Sequence, residues 1–382
     1  MQTSMARRRS SVSVLAILVL VHLYIGLRLL PGMEAGLLGM LVGIVLLALS
    51  AVLVRIGLVA PSLRRSRWSG PLAWAGLLAM GFFSSLLVLT LLRDVILLAL
   101  MLAGAGRPAI THDSAFGVPL LALLVTAIGF INARRLARVV KVDVPIAGLP
   151  RELDGYAIAQ ISDIHVGPTI KRAYLNAIVT KVNSLKPDAI AVTGDLVDGS
   201  VQRLALHTAP LARLAAPDGV FFVTGNHEYY SGAEQWIAEV RRLGLRVLLN
   251  EHVIRRRGAA SLMIAGVTDY TAQHFNPAHR SDPQQAAAGA PDGVAVKVLL
   301  AHQPRSAPAA ADAGFDLQLS GHTHGGQFFP WNLFVPLQQP FVAGLNRVRS
   351  LWVYTSRGTG YWGPPKRFGA PSEITLVRLV PA

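Results

Sequence analysis

The 382-residue chain contains no cysteine. That excludes disulfide cross-links and thiolate metal sites, so any bound metal must take His, Asp, Glu or Asn as ligands. Acidic residues are scarce as well: 21 Asp and Glu stand against 36 Lys and Arg, for a formal net charge of +15. The imbalance is unevenly spread. Residues 1–145 hold 14 basic and 4 acidic side chains, and the remainder holds 22 and 17. The basic excess thus belongs chiefly to the front of the chain, where Lys and Arg set membrane orientation. Its Arg clusters lack interleaved aromatics and no common nucleic-acid motif is present, so no nucleic-acid partner is expected. A Gly-x-x-x-x-Gly-Lys phosphate loop is missing too, which argues against a nucleotide-driven motor.

Apolar residues, by contrast, make up 52% of the chain, more than an ordinary soluble protein carries. They crowd into residues 11–133. Four runs, near 11–30, 37–60, 72–92 and 116–133, approach the roughly 20 residues needed to cross a bilayer core. An apolar tail at 95–103 follows Arg93-Asp94 and is too short to span alone. It reads as an extension of the third helix or a re-entrant piece, with Arg93 and Asp94 snorkelling at the membrane edge.

With four spans, the loops alternate sides. Arg7, Arg8, Arg9, Arg64, Arg65, Arg67, Arg134, Arg135, Arg138 and Lys141 fall on one side, and Arg107 alone on the other. The positive-inside rule then predicts a multi-pass protein of the cell membrane with everything after residue 134 in the cytoplasm. A rival reading takes Arg7–Arg9 and the first run as an export signal, but three further spans are not expected behind a cleaved signal.

The organisation predicted is a transmembrane helical region at 1–139, a linker at 140–155 with Pro145 and Pro150, and a globular domain at 156–382. In that domain, strands are expected at 156–161, 189–193 and 220–224. Helical spacing follows at 172–185, 204–214 and 233–243. Later strands are expected at 246–249, 262–265, 296–300, 317–319, 351–354 and 374–379. This is an α/β pattern, and sites in such sheets lie beyond the carboxyl ends of the strands.

Polar residues stand at just those places. Asp163-Ile164-His165 follows the first strand, Gly194-Asp195-Leu196-Val197-Asp198 the second, and Gly225-Asn226-His227-Glu228 the third. His302 follows the strand at 296–300, and Gly321-His322-Thr323-His324-Gly325-Gly326 the one at 317–319. Each piece alone is commonplace; five in order, each behind a strand, are not. In extended chain, Asp163 and His165 share a face, as do His322 and His324, and each pair can offer two ligands to a metal.

In this order and spacing the motifs resemble those of the calcineurin-like metallophosphoesterases, and more closely a membrane-associated bacterial phosphodiesterase branch. The similarity covers about residues 152–382. The segment Arg357-Gly358-Thr359-Gly360, with Pro364 to Arg367 and Pro371-Ser372-Glu373, resembles that branch too.

The resemblance implies a layered β-sandwich flanked by helices, preceded here by about four transmembrane helices. It also implies two divalent metal ions, manganese, zinc or iron. Asp163, His165 and His324 would hold one; Asn226, His302 and His322 the other; Asp195 would bridge them and so count as catalytic. His227 would lie by the phosphate and protonate the leaving oxygen. Asp198 would stand behind the ligands, and Glu228 would orient His227. The expected activity is that of a metal-dependent phosphoesterase, favoured as a phosphodiesterase, in which a water made acidic between two cations attacks phosphorus. Membrane anchoring points to the bilayer as a partner and to a phosphoester substrate presented there, a lipid-linked one included. The alternative is a non-catalytic membrane sensor or scaffold that keeps the metal-binding fold.

Outside the motifs, His207, His252, His274 and His279 are expected at the surface, and Arg255-Arg256-Arg257 in a solvated turn or against lipid headgroups. Phe328, Phe329, Trp331 and Phe334 are either core or an exposed rim.

Overall fold

In the computed structural model, residues 2–59 and 67–382 are described, with side chains from residue 14 onward. Arg64 and Arg65, and the side chains of Arg7, Arg8 and Arg9, lie outside the described residues. Two compact units are present. One comprises residues 1–131 and 363–366, the other residues 132–362 and 367–382.

The first unit is built on α1 (Gln2–Leu29), α2 (Gly36–Val59), α3 (Ser69–Leu102) and α4 (Pro108–Arg134). All four are long and apolar enough to cross a membrane. The tail at 95–103 continues α3, which runs for 34 residues or roughly 50 Å. Small residues let α2 and α3 approach closely. A Cβ on Gly76 would stand 2.4 Å from the backbone nitrogen of Gly57, so any side chain there would force the helices apart.

Arg93 does not snorkel as expected. It is 5% exposed, and its guanidinium donates to Ser114 Oγ at 2.9 Å, Thr111 O at 2.9 Å and Arg28 O at 3.2 Å. Asp94 accepts from Tyr24 Oη at 2.6 Å and Arg28 Nε at 2.7 Å. Protein partners thus replace water for both charges.

The second unit holds two six-stranded sheets. The strands are β1 (Arg138–Ile146), β2 (Ala157–Ile161), β3 (Ala189–Thr193), β4 (Val220–Val223), β5 (Arg246–Val247), β6 (Glu251–Arg257), β7 (Ala260–Gly266), β8 (Val296–Leu300), β9 (Leu317–Ser320), β10 (Gly344–Val348), β11 (Leu351–Thr355) and β12 (Glu373–Pro381). The helices between them are α5 (Arg172–Ser184), α6 (Val201–Thr208), α7 (Asn226–Ser231), α8 (Ala233–Arg242), α9 (Pro283–Ala287) and α10 (Ala307–Asp312). One sheet runs β1-β12-β2-β3-β4-β5 and the other β10-β11-β9-β8-β7-β6.

Strand pleating explains the layers, because alternate side chains point to opposite faces. In β3, Ala189 and Ala191 join a core shared by both sheets, with Leu262, Val298 and Leu319. Ile190 and Val192 point the other way, against Leu175, Ile178 and Val182 of α5. The second sheet buries Met263, Leu299 and Val353 against Ala307 and Ala310 of α10. The result is the expected sandwich flanked by helices. Each fully buried Val, Leu or Ile contributes about 1.5–3 kcal/mol.

Three local expectations need correction. The first seven residues of the supposed linker at 140–155 belong to β1, which pairs in parallel with β12 from Arg138↔Glu373 to Ile146↔Pro381. Its alternation, with Val144 and Ile146 buried, is a strand signal that Pro145 and Pro150 masked. The Arg255–Arg257 run is not a turn but the end of β6; Arg257 pairs with Asp188, and Arg255 Nε donates to Asp218 O at 2.7 Å. The helix expected at 204–214 is α6 followed by a 3-10 turn at Ala209–Arg213.

Candidate metal centre

β2, β3 and β4 run parallel, so their carboxyl ends share one rim; β8 and β9 do the same in the second sheet. The two rims meet. His302 Nε2 stands 3.2 Å from Asp195 Oδ2, and His324 Nε2 stands 3.4 Å from Asp163 Oδ1. His165 Nε2 lies 3.0 Å from His324 Nε2, and His322 Nδ1 lies 3.2 Å from His302 Nε2. Asp163, His165, Asp195, Asp198, Asn226, His227, Glu228, His302, His322 and His324 are all brought into one cluster.

They converge by a route other than the one expected. Asp163 and His165 are not in extended chain, and neither are His322 and His324. Their φ angles are 53°, 55°, 70° and 51°, and that of Asp195 is 51°. Left-handed backbone costs a residue with a Cβ roughly 1–2 kcal/mol. Half of the ten non-glycine residues with this geometry, among those described, sit in this cluster. The tight turns aim side chains from strand ends into one space, and the surrounding fold holds the strain. Gly321 is part of the same economy of space: a Cβ there would lie 2.0 Å from Ser162 Oγ and 2.1 Å from Asp163 Oδ2.

Among the described residues, three triples of side chains are close enough to share an ion: Asp163, His165 and His324; His165, Asp195 and His227; Asp195, His302 and His322. Two donors bound about 2.1 Å from one cation stand roughly 3.0–3.4 Å apart, which matches the pair distances above. Asn226 Oδ1 is buried with no hydrogen-bond partner, an acceptor left for a cation to satisfy. The donor set of imidazoles, carboxylates and one amide oxygen suits borderline divalent metals. The residues present therefore fit divalent cations.

The electrostatics differ among the rings: burial opposes a charge on His302, but the Asp195 carboxylate outweighs it and raises that ring. Burial raises the Asp163 carboxyl, and the nearby Asp195 charge adds to it. Burial drives His322 down to about 3, with His302 as the next cause. Burial also lowers His324, helped by the Arg367 guanidinium. Both rings are thereby kept neutral, as metal ligands must be. For His227, burial is outweighed by Asp195 and Asp198, and it is raised to about 9.

The role of orienting His227, expected of Glu228, falls to Asp198. Glu228 does not touch the His227 ring. Its carboxylate accepts from the backbone N–H groups of Asp195 at 3.0 Å, Leu196 at 2.8 Å and Gly225 at 2.7 Å, tying the β3 and β4 loops together. The ring is oriented by Asp198, whose Oδ1 accepts from His227 Nδ1 at 2.6 Å. The same oxygen lies 3.2 Å from His165 Nδ1.

Sequence reasoning gave no role to four residues around the cluster. Arg367, fully buried, donates to His324 O at 2.8 Å, and its guanidinium lies 3.0 Å from His324 Nδ1. Gln327 clamps Trp362 through both its backbone N–H and its C=O, each at 2.8 Å. Trp362 and Tyr230 flank the His227 ring at centroid distances of 5.5 and 5.1 Å. Only Gln327, next to the glycine loop, carried a local signal. Of the histidines expected at the surface, His207, His252 and His279 are partly buried instead, the last two on Ala286 O at 2.8 Å and on Tyr229 Oη at 2.9 Å.

Comparison with known proteins agrees with the geometry. Residues 156–326 match the calcineurin-like phosphoesterase family. The chain is 39% identical over 279 residues to a transmembrane protein with metallophosphoesterase domain from Danio rerio, covering 70% of this chain and 64% of that protein. It is 41% identical over 278 residues to the protein of the same description from Bos taurus, covering 68% and 62%. It thus spans less than two thirds of either vertebrate relative. An uncharacterized metallophosphoesterase of Campylobacter jejuni is 33% identical over 329 residues, which cover 80% of this chain and 82% of the relative. On that breadth of similarity, with the motif residues gathered at one rim, the chain belongs to the calcineurin-like metallophosphoesterases.

Proposed function

We propose that this chain is a membrane-anchored phosphodiesterase working with two divalent cations, manganese, zinc or iron. The observation that carries the reading is the position of Asp195. It belongs to two of the ligand triples at once, and its Oδ2 lies 3.2 Å from His302 Nε2 and 3.9 Å from His165 Nε2, between the two ligand sets. Asp163, His165 and His324 would hold one ion with Asp195, and Asn226, His302 and His322 the other. Bound there, the cations would neutralise phosphate charge and make a water acidic near neutral pH.

The chain's own residues do the rest. Asp198 accepts the Nδ1 proton of His227, so Nε2 faces the cluster, 3.9 Å from Asp195 Oδ2. The raised His227 is protonated at neutral pH and can give its Nε2 proton to a leaving oxygen. Hydrolysis then balances: water gives one proton to solvent and its oxygen joins phosphorus, the bond from phosphorus to the leaving oxygen breaks, that oxygen takes the Nε2 proton, and His227 is reprotonated from solvent.

Four apolar helices and the ten-to-one distribution of loop cations support a multi-pass protein of the cell membrane with its catalytic unit in the cytoplasm. A lipid-linked diester is the favoured substrate. Phe329, Trp331, Leu333, Phe334 and Leu337, which follow the His322–His324 loop, are all exposed. Apolar side chains left in water beside a reaction centre suit a substrate with an apolar tail.

The test uses the full-length protein in detergent, stripped of metal. Hydrolysis of a chromogenic phosphodiester and the matching monoester is followed as manganese is added, with bound metal counted by elemental analysis. Diester turnover that saturates at two ions per chain is expected. Two bound ions without turnover of chromogenic or lipid phosphoesters would replace the enzyme with a metal-binding sensor.

A further inference from the structure

The His227 ring does not face open solvent. Trp362 stands on one flank at 5.5 Å between centroids, nearly edge-on at an interplanar angle of 73°. Tyr230 stands at 5.1 Å with an angle of 65°. Phe275 extends the wall from Tyr230 at 5.6 Å. These three rings are 54%, 62% and 51% exposed, so a large part of each is left uncovered by the protein. Large aromatic side chains are usually buried, because each can remove 150–250 Å² from water. Three half-bare rings grouped around one partly buried histidine are therefore a surface shaped for something else.

The wall is also built to stay in place. Gln327, two residues beyond Gly325 in the loop that carries His322 and His324, holds both backbone polar groups of Trp362 at 2.8 Å. Tyr230 lies in α7, three residues after His227, on the same short helix that begins at Asn226. Trp362 is thus tied to the ligand loop of the second sheet, and Tyr230 to that of the first. The backbone that carries each ring is thereby fixed to the cluster.

We infer that Trp362, Tyr230 and Phe275 form a leaving-group subsite that takes a ring, an aryl group, a nucleobase or the apolar face of a sugar. This rests on the proposed hydrolysis, in which His227 protonates the leaving oxygen. The group attached to that oxygen must lie beside His227, and the walls there are aromatic. Rings stack on such walls with little regard to their substituents, whereas a short alkyl group leaves most of the surface wet. The substrate class is therefore a phosphodiester whose departing half carries a ring and whose retained half can be lipid.

The experiment compares two methyl phosphate diesters, one with phenol and one with hexafluoroisopropanol as leaving group, so that the leaving alcohols are of similar acidity. The manganese-loaded full-length protein is assayed beside Trp362→Ala, Trp362→Phe and Tyr230→Ala. The ratio of kcat/KM for the phenyl ester to that for the fluoroalkyl ester should fall about tenfold in each alanine variant and hold in Trp362→Phe, in line with one lost stacking contact. Alanine ratios equal to wild type overturn the subsite.

If wild type hydrolyses neither ester, the hydrolytic reading fails and binding decides the subsite alone. Phenylphosphonate should then bind the manganese-loaded protein about tenfold tighter than propylphosphonate. That preference should vanish in Trp362→Ala. Equal affinities in wild type, or a preference that survives the alanine, overturn it.

Discussion

His227 Nδ1 donates to Asp198 Oδ1 at 2.6 Å, and that single oxygen also stands 3.2 Å from His165 Nδ1. One carboxylate therefore orients both a candidate metal ligand and the candidate acid. Asp198 stays ionised while doing so. Burial opposes its charge, but His165 and His227 outweigh burial and hold it at about 2.

A pH dependence follows from the raised His227. Its protonated form is the donor, present below its pKa and lost as pH rises through it. Turnover should fall on the alkaline side at or below about 9, since bound cations can only lower the value set by Asp195 and Asp198. Asp198→Asn removes one of those charges, so the alkaline limb should move to lower pH. A pH–rate profile of both proteins at saturating manganese checks this. An unshifted limb would assign the proton donor to another group.

Asp195→Asn tests the shared carboxylate. Residues that merely support a metal ligand cost 10–100-fold on mutation, so loss of a ligand common to two ions should exceed about 100-fold in turnover. Elemental analysis should show both ions weakened together. Loss of one ion with the other retained would give the bridge to a different residue.

Arg367→Met should weaken the ion held by His324. The guanidinium fixes the backbone of that loop, donating to the carbonyls of His324 and Arg357 at 2.8 Å, Gly360 at 3.1 Å and Ala370 at 3.3 Å. Without it, four buried acceptors lose a charged donor, and the unfolded state gains by about 3 kcal/mol or more. Metal affinity should drop about 10–100-fold at this ion. Lysine should not rescue it, because a point ammonium cannot reach partners arranged around a planar fork. Calorimetric titration with manganese, beside a thermal melt, reads both effects; unchanged affinity would leave Arg367 a purely structural role.

Much of this was legible in sequence because the signals are local. The four apolar runs are α1 to α4, and the motifs follow strands whose apolar cores announce themselves. What stayed hidden depends on distance along the chain or on backbone conformation. Nothing near Arg367 says that its side chain ends against His324, 43 residues earlier. Nothing in Asp163-Ile164-His165 says that both ends adopt positive φ; the spacing suggested an extended pair. Arg255–Arg257 looked like a turn because three charges in a row are rarely strand, yet Asp188 pairs with Arg257 and the Asp218 carbonyl accepts from Arg255. β1 was concealed by its prolines, which an edge strand tolerates.

The last case makes a prediction about where the catalytic unit begins. If residues 140–155 were a linker, a piece starting at residue 147 would fold. The structure argues otherwise. β1 lies along β12 for nine paired residues, buries Val144 and Ile146, and accepts the Trp352 indole N–H on Pro145 O at 2.7 Å. Removing it exposes β12 as a long apolar edge, a template for aggregation. Two buried aliphatic side chains at about 1.5–3 kcal/mol each, with the ladder bonds at about 1 kcal/mol each, rival the 5–15 kcal/mol that holds a domain together. Residues 132–382, which keep β1 and the buried Ala133 and Ala137, should give one cooperative melting transition. Residues 147–382 should be insoluble or melt without cooperativity. Equal melting of the two pieces would reduce β1 to a dispensable edge and restore the linker reading.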